Sequence, residues 1–171
     1  MSMYRSHGIT GDPVYMDEKP ADEIWNYQQI ELGFNYRMTD IQAALGVSQM
    51  GRLDEFVRIR NRIAQRYDEE LEGLSIQLPV RRDDTYSSYH LYSVRVKNTS
   101  VKSYQKQIYQ RLLASGIVVN LHYIPVYRHP FYQGIGFEKG YCPESEAYFR
   151  EALSIPIYTS LTDSDQTRVI D

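Results

Sequence analysis

With 171 residues, 42% hydrophobic and 24% charged, the chain is long enough for one sizeable core and too short for a large enzyme. Its mean hydropathy of −0.51, and the lack of any apolar run near the roughly 18 residues a spanning helix needs, exclude the disordered and membrane classes. Nineteen basic against 22 acidic side chains give a net charge of −3, which argues against a sequence-independent nucleic-acid binder.

The first 33 residues, punctuated by Gly8, Gly11, Pro13 and Pro20, sustain neither a helical nor an alternating period and read as irregular. Thr39 and Gln42 form a capping-box pair that starts a helix. Apolar positions then recur at three- and four-residue spacing through Ile41, Ala44, Leu45, Phe56, Ile59, Ile63, Tyr67 and Leu71, up to a stop at Gly73. One long helix or two collinear ones are expected over 39–73, with a bend or close contact near Gly46 and Gly51. Alternation in 89–97 predicts a strand. Tyr104, Ile108 and Leu112 predict a helix over 102–115 that ends at Gly116, and the β-branched run 117–123 predicts a second strand. The order is therefore β-α-β. Pro143 opens a further helix to about residue 152, followed by a short apolar segment over 155–158. Thr162 caps a last helix of about ten residues, marginal alone and therefore either docked on the core or truncated.

The sequence offers little unaided chemistry. The four histidines are scattered, no ligand spacing points to a metal, and no nucleophile elbow or phosphate-loop motif is present. The single Cys142 forms no internal disulfide and fits a reducing compartment. Residues 1–10 contain no apolar segment of the secretory type, so a cytoplasmic location is expected. Sixteen tyrosines suit either half-buried packing or interface and sugar contacts. The segment 32–40, just before the capped helix, is where an Asn amide and an Arg fork meet phosphate, or where they merely satisfy backbone carbonyls.

The run G-F-N-Y-R-M-T-D-I-Q-A-A-L-G at 33–46, followed by R-L-D-E-F and R-Y, resembles the DegT/DnrJ/EryC1/StrS family of sugar-nucleotide aminotransferases. R-S-H-G-I at 5–9, S-Y-H-L-Y at 88–92, H-Y-I-P at 122–125, L-S-I-P-I-Y at 153–158 and L-T-D at 161–163 agree in order, so the resemblance covers nearly the whole chain. It implies an α/β fold: the C-terminal small domain of a fold type I pyridoxal phosphate (PLP) transferase, a long helix followed by a β-α-β small-sheet domain. The implied divisions are 1–38 as a remnant of the large-domain region, 39–73 as a connecting helix and 74–171 as the small domain. Family members are roughly twice as long. Their large domain and Schiff-base lysine are not matched here, since Lys19, Lys97, Lys102, Lys106 and Lys139 all lie outside the family's lysine context.

By the same resemblance, Asn35 reaches the cofactor phosphate of a partner subunit, with simple loop capping as its alternative. Arg37 orients the loop or approaches substrate phosphate, a buried salt bridge being its alternative. His122 and Tyr123 face the sugar nucleotide, with core packing open for Tyr123, while His7 packs rather than reacts. No catalytic residue and no metal ligand is expected. PLP belongs to the complete family enzyme, and this chain alone is expected to bind none. The implied reaction converts a UDP-4-keto-6-deoxy sugar and glutamate to a 4-amino sugar, with the chain inactive alone. The partners implied are a second copy of the chain, a UDP-sugar and a separate lysine-bearing N-terminal half, with no nucleic acid and no membrane. The other reading is a non-catalytic dimerisation or sugar-nucleotide-binding module.

Overall fold

The capping box at Thr39 is formed. Thr39 Oγ1 accepts from the Gln42 amide at 3.3 Å, and Gln42 Oε1 accepts from the Thr39 amide at 3.0 Å. It opens helix α1, Asp40–Met50, with Asp40 placed favourably at the positive end of the helix dipole. In this computed structural model, which describes residues 2–17, 24–97 and 103–171, the helical run expected over 39–73 as one helix or two is two helices. The interruption lies at Gly51 and Arg52: the Gly51 amide closes the last turn on Val47, and the Arg52 amide bonds the Gln49 carbonyl at 3.0 Å. A glycine with low helix propensity stands where the ladder shortens to a turn. The chain divides into two units at the same place, Met1–Arg52 and Leu53–Asp171.

In the first unit, the irregular opening contains one minimal ladder: β1, Ile9–Thr10, pairs antiparallel with β2, Gln28–Gln29. No residue of α1 is buried, although Ile41, Leu45, Val47 and Met50 are all apolar. A helix with apolar residues on several faces is ordinarily enclosed by other chain.

The second unit is built on α2, Leu53–Glu70, whose stripe Ile59, Ile63, Tyr67 and Leu71 repeats every four residues as the sequence predicts. It packs on a three-stranded antiparallel sheet in the order β3 (Ile76–Gln77), β4 (Tyr92–Val96), β5 (Ala152–Ile155). Tyr92, Val94 and Val96 alternate into the core with Leu153 and Ile155 of β5. Tyr67 and Tyr92 are fully buried and touch with ring centroids 5.1 Å apart. Each phenol finds an acceptor: Tyr67 donates to the Pro156 carbonyl at 2.8 Å and Tyr92 to Asp68 Oδ1 at 2.7 Å. Helix α3, Tyr104–Ala114, ends before Gly116, whose φ of +75° suits a residue without Cβ.

The β-α-β expectation needs correction. Residues 117–123 form no second strand; only Asn120 bridges to Ser154 at the free edge of β5. The reasons are local: the Ile117 amide bonds the Leu112 carbonyl at 2.9 Å, and the Leu121 amide donates at 2.8 Å to the Asn120 side chain. The apolar segment expected over 155–158 is strand β5 three residues earlier, because all four of its residues register with β4. The short strand β3, a 3₁₀ turn at Val126–Arg128 and helix α4, Pro130–Gly134, carry no signal in the sequence reading. Helix α5, Pro143–Glu151, begins at its predicted proline. The final helix α6, Asp163–Ile170, is docked: Gln166 is buried and its Nε2 donates to the Ile63 carbonyl at 2.9 Å.

Candidate functional site

Two motifs far apart in sequence form one object in the first unit. Phe34 and Tyr36 donate their amides to the carbonyls of Tyr4 and Arg5 at 2.7 and 2.9 Å, and the His7 amide returns to Phe34 at 3.0 Å. Ser6 and Asn35 form the bridge between the two runs. Glycine is required at both crossings. A Cβ on Gly8 would lie 1.8 Å from the Glu31 carbonyl oxygen, and one on Gly33 would lie 2.4 Å from the Gly8 amide nitrogen. The rings of Phe34 and Tyr36 stack on the outside at 5.2 Å.

This lock fixes the backbone of Asn35 and leaves its side chain exposed, a few residues before α1. Neither the Asn35 amide nor the Arg37 guanidinium is held by a side-chain hydrogen bond or ion pair among the described residues. Arg37 is exposed and forms no buried salt bridge among the described residues, and the Asn35 side chain is likewise exposed. His7 does not pack; it is exposed in a turn with φ of +62°.

In the second unit, His122 and Tyr123 stand together beyond the Asn120 bridge, with ring centroids 4.6 Å apart and edge-to-face. Tyr123 is 69% exposed and lies outside the buried core of this chain. His122 is half-buried, and its Nδ1 lies 2.8 Å from Ser154 Oγ. Ser154 Oγ is in turn 2.8 Å from Ser93 Oγ. Neither serine was reached from the sequence. The available signal was a hydroxyl at Ser154 inside the otherwise apolar run 152–157, in register with Ser93.

Other polar groups serve the fold. Asp68 accepts from both Tyr92 and Arg81, tying β4 and the 81–88 segment to α2. Burial pushes the Tyr67 and Tyr92 phenols well above the ordinary tyrosine range, so neither is a proton carrier near neutral pH. Glu146, 4% exposed, accepts from the Gly140 amide at 2.6 Å and from the Tyr127 hydroxyl at 2.9 Å. The Gly140 amide leads the causes that hold its carboxyl below the usual range. A cleft of about 860 Å³ along α2 is lined by Arg58, Arg62 and Arg81 but equally by Asp68, Glu69 and Glu72, and by none of the four predicted site residues. No described helix is long and apolar enough to cross a membrane.

The second unit is thus a mixed α/β fold with a half-buried histidine beside its sheet, and the first carries a glycine-locked loop with exposed Asn35 and Arg37 ahead of a capped helix. The chain belongs to the DegT/DnrJ/EryC1/StrS aminotransferase family, whose profile matches residues 1–171. It is 30% identical over its whole length to the UDP-4-amino-4,6-dideoxy-N-acetyl-beta-L-altrosamine transaminase of Campylobacter jejuni (serotype O:2), covering 43% of that protein. It is 31% identical to the dTDP-3-amino-3,4,6-trideoxy-alpha-D-glucose transaminase of Streptomyces venezuelae, over 95% of this chain and 43% of that one. Its fold matches the PLP-form of a Streptococcus pneumoniae protein assigned as a sugar aminotransferase, with TM-score 0.83 and 30% identity, over 99% of this chain and 40% of that one. The chain thus spans less than half the length of the relatives it matches.

The family's cofactor is PLP, and the described residues do not by themselves fit the whole group. Asn35 and Arg37 offer donors suited to a phosphate. A Schiff base needs an amine, and the described lysines, Lys97, Lys106 and Lys139, all belong to the second unit. Lys97 Nζ lies 3.9 Å from Glu151 Oε2.

Proposed function

We propose that this chain is the small-domain portion of a PLP-dependent sugar-nucleotide 4-aminotransferase, acting on a UDP-4-keto-6-deoxy sugar with glutamate as donor, in polysaccharide or nonulosonic acid biosynthesis of the pseudaminic acid type. The observation that carries the reading is the loop locked by Gly8 and Gly33, which holds the Asn35 backbone rigidly while leaving the Asn35 and Arg37 donors without partners. Unpaired amide and guanidinium donors on a fixed backbone suit an anionic oxygen, and rigidity lowers the ordering cost of binding it.

In this reading Asn35 donates to the cofactor phosphate held by a second subunit, and Arg37 approaches phosphate of the substrate. His122 and Tyr123 hydrogen-bond the sugar or diphosphate; the exposure of Tyr123 and the half-burial of His122 support that role. The chain contributes binding and orientation. The amine that forms the Schiff base is supplied by a lysine-bearing large-domain portion, whether on a longer polypeptide or a separate one.

The test is complementation. The 171-residue chain is assayed with UDP-4-keto-6-deoxy sugar and glutamate, alone and co-expressed with a lysine-bearing large-domain portion of a family member. Activity that needs both, and that falls in Asn35→Ala and Arg37→Ala, supports the reading. Turnover by the 171 residues alone overturns it. UDP-sugar binding without any complementable activity favours the non-catalytic binding module.

A further inference from the structure

The least expected polar feature of the second unit is a chain of two hydroxyls running out of the sheet to an imidazole. Ser93 on β4 and Ser154 on β5 are register partners, so their side chains emerge on the same face, the one opposite Tyr92, Val94, Leu153 and Ile155. Their oxygens are 2.8 Å apart, and Ser154 Oγ is 2.8 Å from His122 Nδ1. Ser154 is 7% exposed and is fixed on both sides: β4 pairs along one edge of β5, and Asn120 along the other, with N···O distances of 3.1 and 2.8 Å.

Proton counting gives this chain a direction. Each serine has one hydroxyl proton, and among the described residues Ser93 Oγ has no acceptor except Ser154 Oγ. Both protons are used only if Ser93 donates to Ser154 and Ser154 donates to His122 Nδ1. Nδ1 is then the acceptor, and the ring proton sits on Nε2. With Nδ1–H instead, Ser154 would accept from the ring and turn its own proton to Ser93, whose hydroxyl would then have no acceptor among the described residues and only solvent to donate to. The edge-to-face contact with Tyr123 restrains the ring further.

We infer that Ser154, backed by Ser93, is a positioning residue that holds His122 as the Nε2–H tautomer and presents that N–H as a directed donor to an acceptor oxygen of the bound ligand. The inference rests on the reading of His122 as a ligand-facing residue, and it deepens it: His122 recognises a carbonyl, hydroxyl or diphosphate oxygen by donating, not by accepting. Ser154 touches no ligand and acts only through the imidazole.

The test reads the tautomer directly. In histidine-¹⁵N-labelled protein at a pH where the ring is neutral, long-range ¹H–¹⁵N correlation is expected to give His122 an acceptor-type Nδ1 and a protonated Nε2. The resonance is assigned by its loss in His122→Asn. Ser154→Ala moves Nδ1 toward the averaged shift of a free imidazole, Ser154→Thr restores it, and Ser93→Ala produces a smaller movement in the same direction. If Ser154→Ala does not fold, the Ser93→Ala shift carries the test. A wild-type Nδ1–H tautomer, or a His122 spectrum unchanged in a folded Ser154→Ala or Ser93→Ala variant, overturns the inference. Titration with UDP separates the two levels. A His122 resonance that keeps its tautomer but ignores UDP refutes ligand contact through the diphosphate while leaving the hydroxyl relay standing.

Discussion

Gly8 and Glu31 cross so closely that the first Cβ atom of any other residue at position 8 would fall 1.8 Å from the Glu31 carbonyl oxygen. Two backbones meet there, with the Ile30 amide donating to the Gly8 carbonyl at 2.9 Å, and no side chain can give way. The φ of +71° at Gly8 adds a second reason for glycine.

Gly8→Ala is therefore expected to disrupt the first unit, costing more than about 2 kcal/mol through combined clash and φ strain. Hydrogen exchange checks it. The amides of Ile30, Phe34 and Tyr36, which bond across the lock, should lose protection, while core amides of β4 and β5 keep theirs.

Tyr92→Phe keeps the aromatic contact with Tyr67 and removes the bond to Asp68. Asp68 retains Arg81 as a partner, so the expected loss is about 1 kcal/mol, read as a lower denaturation midpoint with an unchanged slope. Leu153→Ala, at a position 1% exposed in the centre of the core, is expected to cost about 2–5 kcal/mol.

Glu146 sets a pH dependence for the 138–142 turn, since its carboxylate accepts from Gly140 and Tyr127. Its folded pKa is lowered, so the stabilisation is fully present above the ordinary glutamate value of about 4.3 and is lost as pH falls through the folded value. Amide shifts of Gly140 and Cys142 followed by NMR should move together on acidification. In Glu146→Gln that acid-dependent movement should be absent.

The apolar side chains of α1, Ile41, Leu45, Val47 and Met50, are 61 to 83% exposed within this chain. Burying them against a second copy or a large-domain portion is the expected remedy. Light scattering at tens of micromolar should find a dimer or larger species, and Ile41→Glu with Leu45→Glu should shift the population toward monomer. A monodisperse wild-type monomer would count against assembly through this helix.

What the sequence by itself determined is local. The Thr39–Gln42 box, the four-residue stripe of α2, the starts of α5 and α6, and the turn at Gly116 each arise from neighbours within a few residues, whose geometry the chain period fixes. The ordered motifs carried the family as well, because they need only be read in line. Tertiary structure decided everything that depended on pairing. Whether residues 117–123 formed a strand depended on where their amides went, with Ile117 bonding the Leu112 carbonyl and Leu121 the Asn120 side chain, and the start of β5 depended on its register with Arg95. The glycine lock joins residues about 25 apart, and the hydroxyl relay joins positions 93, 122 and 154, so no periodicity encodes either. Asn35 and His122 could be named from sequence, but what holds each of them is written in parts of the chain far from either.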